Sequence, residues 1–155
     1  MFGWFRSKDN STPDPAVTSP PVPFSEKLAV WVDNLDWYTR TVSNILSAEA
    51  YSELRRINDA FKQTIVLLRT YAIRAEEEYI AESTLTDYIP SALNIFMQLP
   101  PSEQTPGEKA DTQLITQFRT IHASVHQLNQ QMNENVRRDL TEQTLFVQER
   151  FRSQV

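Results

Sequence analysis

The spacing of apolar residues is the feature of this sequence that most constrains its fold. In the clearest stretch, apolar side chains recur in strictly alternating steps of four and three residues: Leu114, Phe118, Ile121, Val125, Leu128 and Met132. Such a repeat forms one apolar stripe along an α-helix and is the seam expected of helices that pack with a left-handed supercoil. The sequence therefore predicts a long amphipathic helix in this region.

Similar spacing occurs three more times earlier in the chain. It predicts a first helix over residues 26–46, a second over residues 49–82 and a third apolar stripe over residues 85–99. Pro90 lies within the third stripe. It either kinks a helix that has already begun or occupies the first turn of a helix that begins near Ile89.

The scarcity of glycine supports an all-α fold. The chain has 155 residues but only 2 Gly, far below the average usage of about 7%. β-Sheet proteins need glycine at their tight turns, so an all-β or α/β fold is disfavoured. We expect an up-and-down bundle of four or five helices, with long antiparallel helices joined by short connections.

The last helix has a well-marked predicted start and an ambiguous continuation. Thr105, Pro106 and Glu108 match an N-cap, a first helical position and the third position of a capping box. Beyond Met132 the apolar steps lengthen before returning to three and four: Val136, Leu140, Thr144, Val147 and Phe151. This stutter predicts either one helix or two with a break within residues 133–139.

The first 23 residues form a separate predicted region. They are rich in Pro, Ser and Thr, which predicts a disordered arm over residues 1–23 ahead of a helical bundle domain over residues 24–155. Three aromatic and two basic side chains lie at its start: Phe2, Trp4, Phe5, Arg6 and Lys8. This combination suits a membrane headgroup layer or an aromatic-accepting groove, and a frayed chain end is the alternative.

Charge and hydropathy restrict the partners. The net charge of -5 offers no attraction for phosphate backbones, so we expect no nucleic-acid partner. No apolar run approaches the roughly 18 residues of a membrane-spanning helix. We therefore predict a cytoplasmic protein, with peripheral contact of residues 1–8 at the inner face of the membrane as an alternative.

Few residues carry recognisable chemistry. The absence of Cys removes a disulfide framework, a thiolate zinc site and a cysteine nucleophile. His122 and His126 are four residues apart and are candidate ligands for one transition metal, although no Glu follows His122 as in H-E-x-x-H. A position flanking the core is the alternative for both. With no nucleophile motif and no glycine-rich phosphate loop, we expect neither a cofactor nor enzymatic activity.

Two further features are candidates for contact with other molecules. Glu76, Glu77, Glu78 and Glu82 form the densest acidic cluster, which could attract a basic partner or a cation but is typical of a solvated helix end. Trp37 lies to one side of the first apolar stripe. If its side chain is exposed, it marks a contact surface.

The second half of the chain resembles a known group of proteins. Residues 85–101 contain Tyr88-Ile89-Pro90 and end in Leu99-Pro100-Pro101, and residues 145–151 read Leu-Phe-Val-Gln-Glu-Arg-Phe. Together they are similar to small bacterial helical proteins related to the so-called 5-bromo-4-chloroindolyl phosphate hydrolysis protein family. The resemblance covers residues 85–155 and implies a helical bundle in a bacterial cytoplasm, with no catalytic residues to transfer.

By their own chemistry, the same residues suit a helical core, in which Phe146, Val147 and Phe151 cover one end of the bundle. The sequence as a whole favours a non-enzymatic bacterial helical interaction or scaffold protein. It would bind a protein partner or a second copy of itself through a helix face. The alternatives are a peripheral membrane protein held by its N-terminus and a metal-binding helical bundle.

Overall fold

The computed structural model describes residues 20–153, and this part of the chain is helical without any strand. The helices are α1 (Phe24–Thr41), α2 (Ala48–Leu67), α3 (Ala75–Ser83), α4 (Ile89–Met97) and α5 (Lys109–Arg152). A π-helical turn, Thr84–Tyr88, joins α3 to α4, so that the two form one rod. The predicted all-α class is confirmed.

The chain runs up and down through four helical rods. A hydrogen bond from Asn58 Nδ2 to Asp36 Oδ1, 2.8 Å, links α1 to the antiparallel α2. The Tyr38 hydroxyl donates to Asn94 Oδ1 at 2.9 Å, which links α1 to the rod of α3 and α4. The last helix, α5, returns beside α2 and runs parallel to it. Ser47 at the start of α2 contacts Asp111, and Thr64 near its end contacts Asn129.

The core lies among all four rods. Its fully buried large side chains come from α1, α2, α4 and α5: Leu28, Val32, Leu54, Ile57, Phe61, Ile89, Leu93 and Phe118. These residues fall on the apolar stripes that the sequence predicts. Burial of such side chains supplies about 1.5 to 3 kcal/mol each and is the main stabilisation of the bundle.

The prediction of one helix over residues 49–82 is wrong, because the chain forms two helices there. The start is confirmed, since Ser47 Oγ caps α2 by accepting from the Ala50 N–H at 3.1 Å. The helix ends at Leu67, and the chain reverses before α3 begins at Ala75. The apolar spacing continues across this break, but the reversal lets α3 pack against α1 and cover the core from another side. The predicted first helix also ends earlier than expected, at Thr41, and residues 42–46 form a turn.

Pro90 lies at the start of α4, which agrees with the second of the two predicted arrangements. Its missing N–H cannot donate to the carbonyl of Thr86, and its ring crowds that carbonyl in a regular α-helix. The widened π turn lies directly before it, where the Thr84 and Thr86 hydroxyls donate to the carbonyls of Ile80 and Glu82. The wider turn lets the rod continue past the proline instead of ending there.

The predicted capping box at the start of the last helix is wrong. The helix begins at Lys109, and Gly107 takes a positive φ of 88°, which is incompatible with a helical position. Instead the Gly107 N–H donates to Asp111 Oδ2 at 2.9 Å, while Ser47 Oγ donates to Asp111 Oδ1 at 2.6 Å. Asp111 therefore ties the loop before α5 to the start of α2, a contact between distant residues that local sequence does not reveal.

The last helix is continuous. From Lys109 to Arg152 no break occurs, so the predicted alternative of two helices with a break within residues 133–139 is excluded. Most of the predicted arm, residues 1–19, lies outside the described residues, and residues 20–23 precede α1. None of the helices in residues 20–153 combines the length and the apolar character needed to cross a bilayer.

Candidate functional site

The last helix extends well beyond the bundle. Up to Met132, which is 3% exposed, its large apolar residues are buried or half-buried against the other helices. From Arg137 to Ser153 every side chain is exposed. At ~1.5 Å per residue, the segment 137–152 projects by about 24 Å. We call it the projecting segment.

This segment carries large apolar side chains in water. Five of them are exposed, with Leu140 at 65% and Phe151 at 66%: Leu140, Leu145, Phe146, Val147 and Phe151. The prediction that Phe146, Val147 and Phe151 cover the end of the bundle is wrong. They lie beyond that end because α5 does not bend back.

Four residues of the segment share one side of the helix, whereas Leu145 and Phe146 lie roughly 130° from its centre, on the far half of the helix. We call this stripe the projecting face: Leu140, Thr144, Val147 and Phe151. The acidic residues Glu142 and Glu149 lie on the opposite side at about 100° per residue. The face therefore carries three large apolar side chains and one threonine and is free of charge, the character of a surface that packs against another helix.

The direction of the projecting face follows from the helix period. Val147 lies five full turns beyond Asn129 at about 3.6 residues per turn. Asn129 is buried against α2, where its side chain accepts from Thr64 Oγ1 at 2.6 Å and donates to the Ala60 carbonyl at 2.9 Å. The projecting face thus continues the side of α5 that α2 covers, past the end of α2 at Leu67.

The base of the projecting segment is held firmly. Besides the Asn129 contacts, Arg119 pairs with Glu49 and with Glu53, the second at 3.7 Å. The exposed Glu49 and the buried Glu53 both lie on α2, so α2 and α5 are joined at both ends of their shared length. This anchoring fixes the orientation of the projecting face relative to the bundle.

The two histidines lie on the flank of α5 that borders α2. Their rings are stacked, with centroids 6.1 Å apart. Burial, with the positive charge of Arg56 and then His126, lowers the pKa of His122, while Glu53 opposes this change. Within residues 20–153 no group of three His, Asp or Glu side chains converges as a metal site. The imidazoles also have no hydrogen-bond partner there that would make either one a catalytic base.

A groove of about 440 Å³ separates α3 from α5. Phe61, Ile121 and Val125 contribute its apolar floor, and Thr84 of the π turn lines it together with polar residues of α5. It is open to solvent and contains no carboxylate pair or histidine. The groove is a packing gap between helices that contact each other little.

The acidic cluster has a structural explanation. Glu76, Glu77 and Glu78 occupy the first turn of α3, where carboxylates stabilise the positive end of the helix dipole. Glu77 Oε1 also accepts from the Arg74 N–H at 3.0 Å and from its guanidinium Nε at 3.3 Å. The cluster therefore marks the start of a helix, a signal that could have revealed the break after Leu67.

The remaining predicted contact residues are divided between the described and undescribed parts of the chain. Trp37 is 66% exposed, and Val30 is exposed seven residues before it on the same side of α1. Its predicted role in a contact stays a prediction. Phe2, Trp4 and Phe5 lie outside the described residues.

Comparisons with family models, with curated proteins and with solved structures find no match to this chain. The resemblance of residues 85–155 to the hydrolysis protein family stays a prediction. The candidate site therefore depends on the geometry of α5 alone.

Proposed function

We propose that this protein is a non-enzymatic helical interaction or scaffold protein that binds a protein partner or another copy of itself through the projecting face. The single observation that supports this proposal is the exposure of three large apolar side chains on this face, Leu140, Val147 and Phe151. At about 100 Å² for each of these exposed side chains, they present on the order of 300 Å² of apolar surface. Patches of this size on soluble proteins are often functional.

The arrangement of the segment also suits recognition of a helix. A rigid bundle holds its base, and apolar residues repeat at the spacing by which one helix packs against another. Outside the bundle the segment has only its own helix propensity to stabilise it, so a partner that covers the face would stabilise it further.

The test is site-specific photo-crosslinking in cells. A photoreactive phenylalanine analogue replaces Phe151 on the projecting face, and a matched variant carries it at Glu149 on the opposite side. We expect adducts from position 151 and few from position 149. The absence of adducts at both positions, or equal adducts at both, would contradict an interaction through this face. The mass of the adduct identifies the partner class, since a second copy adds another 18.0 kDa.

A bacterial, cytoplasmic location and contact of residues 1–8 with the inner face of the membrane are also proposals. The location is supported by the resemblance of residues 85–155, and the membrane contact by the pairing of Phe2, Trp4 and Phe5 with basic residues in the sequence. Co-sedimentation with anionic vesicles, compared between the full chain and a chain that lacks residues 1–8, tests this contact. Equal sedimentation of the two would exclude it.

A further inference from the structure

We infer that the occupant of the projecting face is the projecting face of a second copy, paired antiparallel so that Leu140 of each copy lies opposite Phe151 of the other. This inference rests on the proposed function, because it identifies the partner of the same surface. It is carried by the symmetry of the face, by the position of α2 and by the area available.

The face is symmetric along the chain. From Leu140 to Phe151 its residues are separated by four, three and four residues, so the order of the steps is the same in both directions. In an antiparallel pair about a twofold axis between Leu145 and Phe146, Leu140 meets Phe151 and Thr144 meets Val147. A twofold axis requires one surface to complement itself, and this spacing satisfies that requirement.

The residues beside the face are compatible with this register. Thr141 and Gln148 border it on one side, and Gln143 and Arg150 border it on the other. Antiparallel pairing brings Gln143 near Arg150, where the amide oxygen can accept from the guanidinium. The two Arg150 side chains lie at opposite ends of the pair, so no like charges oppose each other across it.

The position of α2 excludes a parallel pair. The projecting face continues the side of α5 that α2 occupies, as the hydrogen bonds of Asn129 to α2 show. A second α5 running parallel along this side would enter the volume that α2 fills. In the antiparallel register the partner's helix comes from the other direction, and its last helical residue, Arg152, lies level with Asp139. The partner's helix therefore ends before it reaches the end of α2, since the contact of Thr64 with Asn129 places the end of α2 near Asn129.

The available area suits a weak, concentration-dependent dimer. If the partner covers half of the circumference of a helix about 12 Å across, roughly 19 Å, along ~24 Å, each copy has a contact strip on the order of 450 Å². Two copies together bury on the order of 1,000 Å², the lower limit for a specific interface. The dimer would have a bundle at each end and the paired helices between them.

Disulfide trapping tests the register, and the chain has no natural cysteine to interfere. Two single variants, Leu140→Cys and Phe151→Cys, are oxidised separately and as an equal mixture. Both positions are exposed, so the bundle should tolerate them. In the antiparallel register, identical positions on the two copies are separated by about 16 Å along the helix, too far for a disulfide, which needs Cα atoms within ~7 Å.

The expected result is a disulfide-linked dimer from the mixture and almost none from either variant alone. Dimers from Leu140→Cys alone would indicate a parallel pair and overturn the inference. An intact chain that stays monomeric by light scattering up to about 200 μM would overturn it as well, because even a weak dimer assembles at that concentration. In either case, photo-adducts with a different protein at position 151 would leave the proposed function standing, and their absence would remove both.

Discussion

The two halves of α5 carry similar apolar repeats in opposite environments. In the first half Phe118 is fully buried, and in the second half Phe151 is 66% exposed, although both follow the helical spacing. The first half is covered by α2 and α4, and the projecting segment has no cover within residues 20–153. The difference teaches that an apolar stripe requires a partner surface, which another helix of the same chain supplies for one half only.

The largest expected effect separates the two phenylalanines. Phe118→Ala leaves a cavity in the core and should lower the free energy of unfolding by about 3 to 5 kcal/mol. Phe151→Ala should change it by no more than about 0.5 kcal/mol in dilute solution, because the side chain is already in water. Urea denaturation of both variants at low protein concentration measures these values. A large loss for Phe151→Ala under these conditions would mean that the projecting segment packs against its own bundle.

A buried polar contact should show a smaller difference. Asn129→Ala removes two buried hydrogen bonds, but the Thr64 hydroxyl can still donate to the Ala60 carbonyl at 3.1 Å, so the loss should be about 1 kcal/mol. The matched control is Asn135→Ala on an exposed position of the same helix, with an expected change within about 0.5 kcal/mol. The comparison is again made by denaturation. Equal losses for the two variants would show that Asn129 does not anchor α5 to α2.

The sequence predicts some features of this fold and not others for a physical reason. The all-α class and the buried apolar stripes can be predicted, because they depend on the local spacing of apolar residues and on the scarcity of glycine. The break after Leu67 could not be recognised from apolar spacing, which continues across it, although Glu76 to Glu78 marked the new helix start. The start of α5 cannot be located from the local sequence, because it depends on the contact of Asp111 with Ser47, a residue distant in sequence.

The exposure of the projecting face cannot be predicted from the sequence for a related reason. Val147 and Phe151 have the spacing of core residues, and the sequence does not state which helix covers them. The spacing alone therefore predicts that they lie against the end of the bundle. Only the continuous path of α5 shows that they lie beyond it, and Leu140 joins them on the same face.

The smallest expected effect concerns pH and the first half of α5. Burial and the nearby charges of Arg56 and His126 lower the pKa of His122, so the folded protein binds this proton less readily than the unfolded chain. Stability should therefore fall as the pH decreases below about 6.5, the ordinary pKa of histidine. In His122→Gln this contribution is absent, and the melting temperature should decrease less between about pH 7.5 and pH 5 than in the original protein.

Gln130→Asn, an exposed and uncharged change on the same helix, is the control for this measurement. It should leave the decrease in melting temperature on acidification unchanged. An identical decrease for His122→Gln and the original protein would show that His122 titrates alike in the folded and unfolded chains.

Amide hydrogen exchange of the intact chain at two concentrations tests the central claim most directly, because it reads both halves of α5 at once. At about 200 μM the account predicts protection over residues 110–132 and also over residues 137–152, whereas at about 1 μM only the first half should stay protected. Exchange of residues 137–152 that is equally fast at both concentrations would contradict the claim that a second copy covers the projecting face.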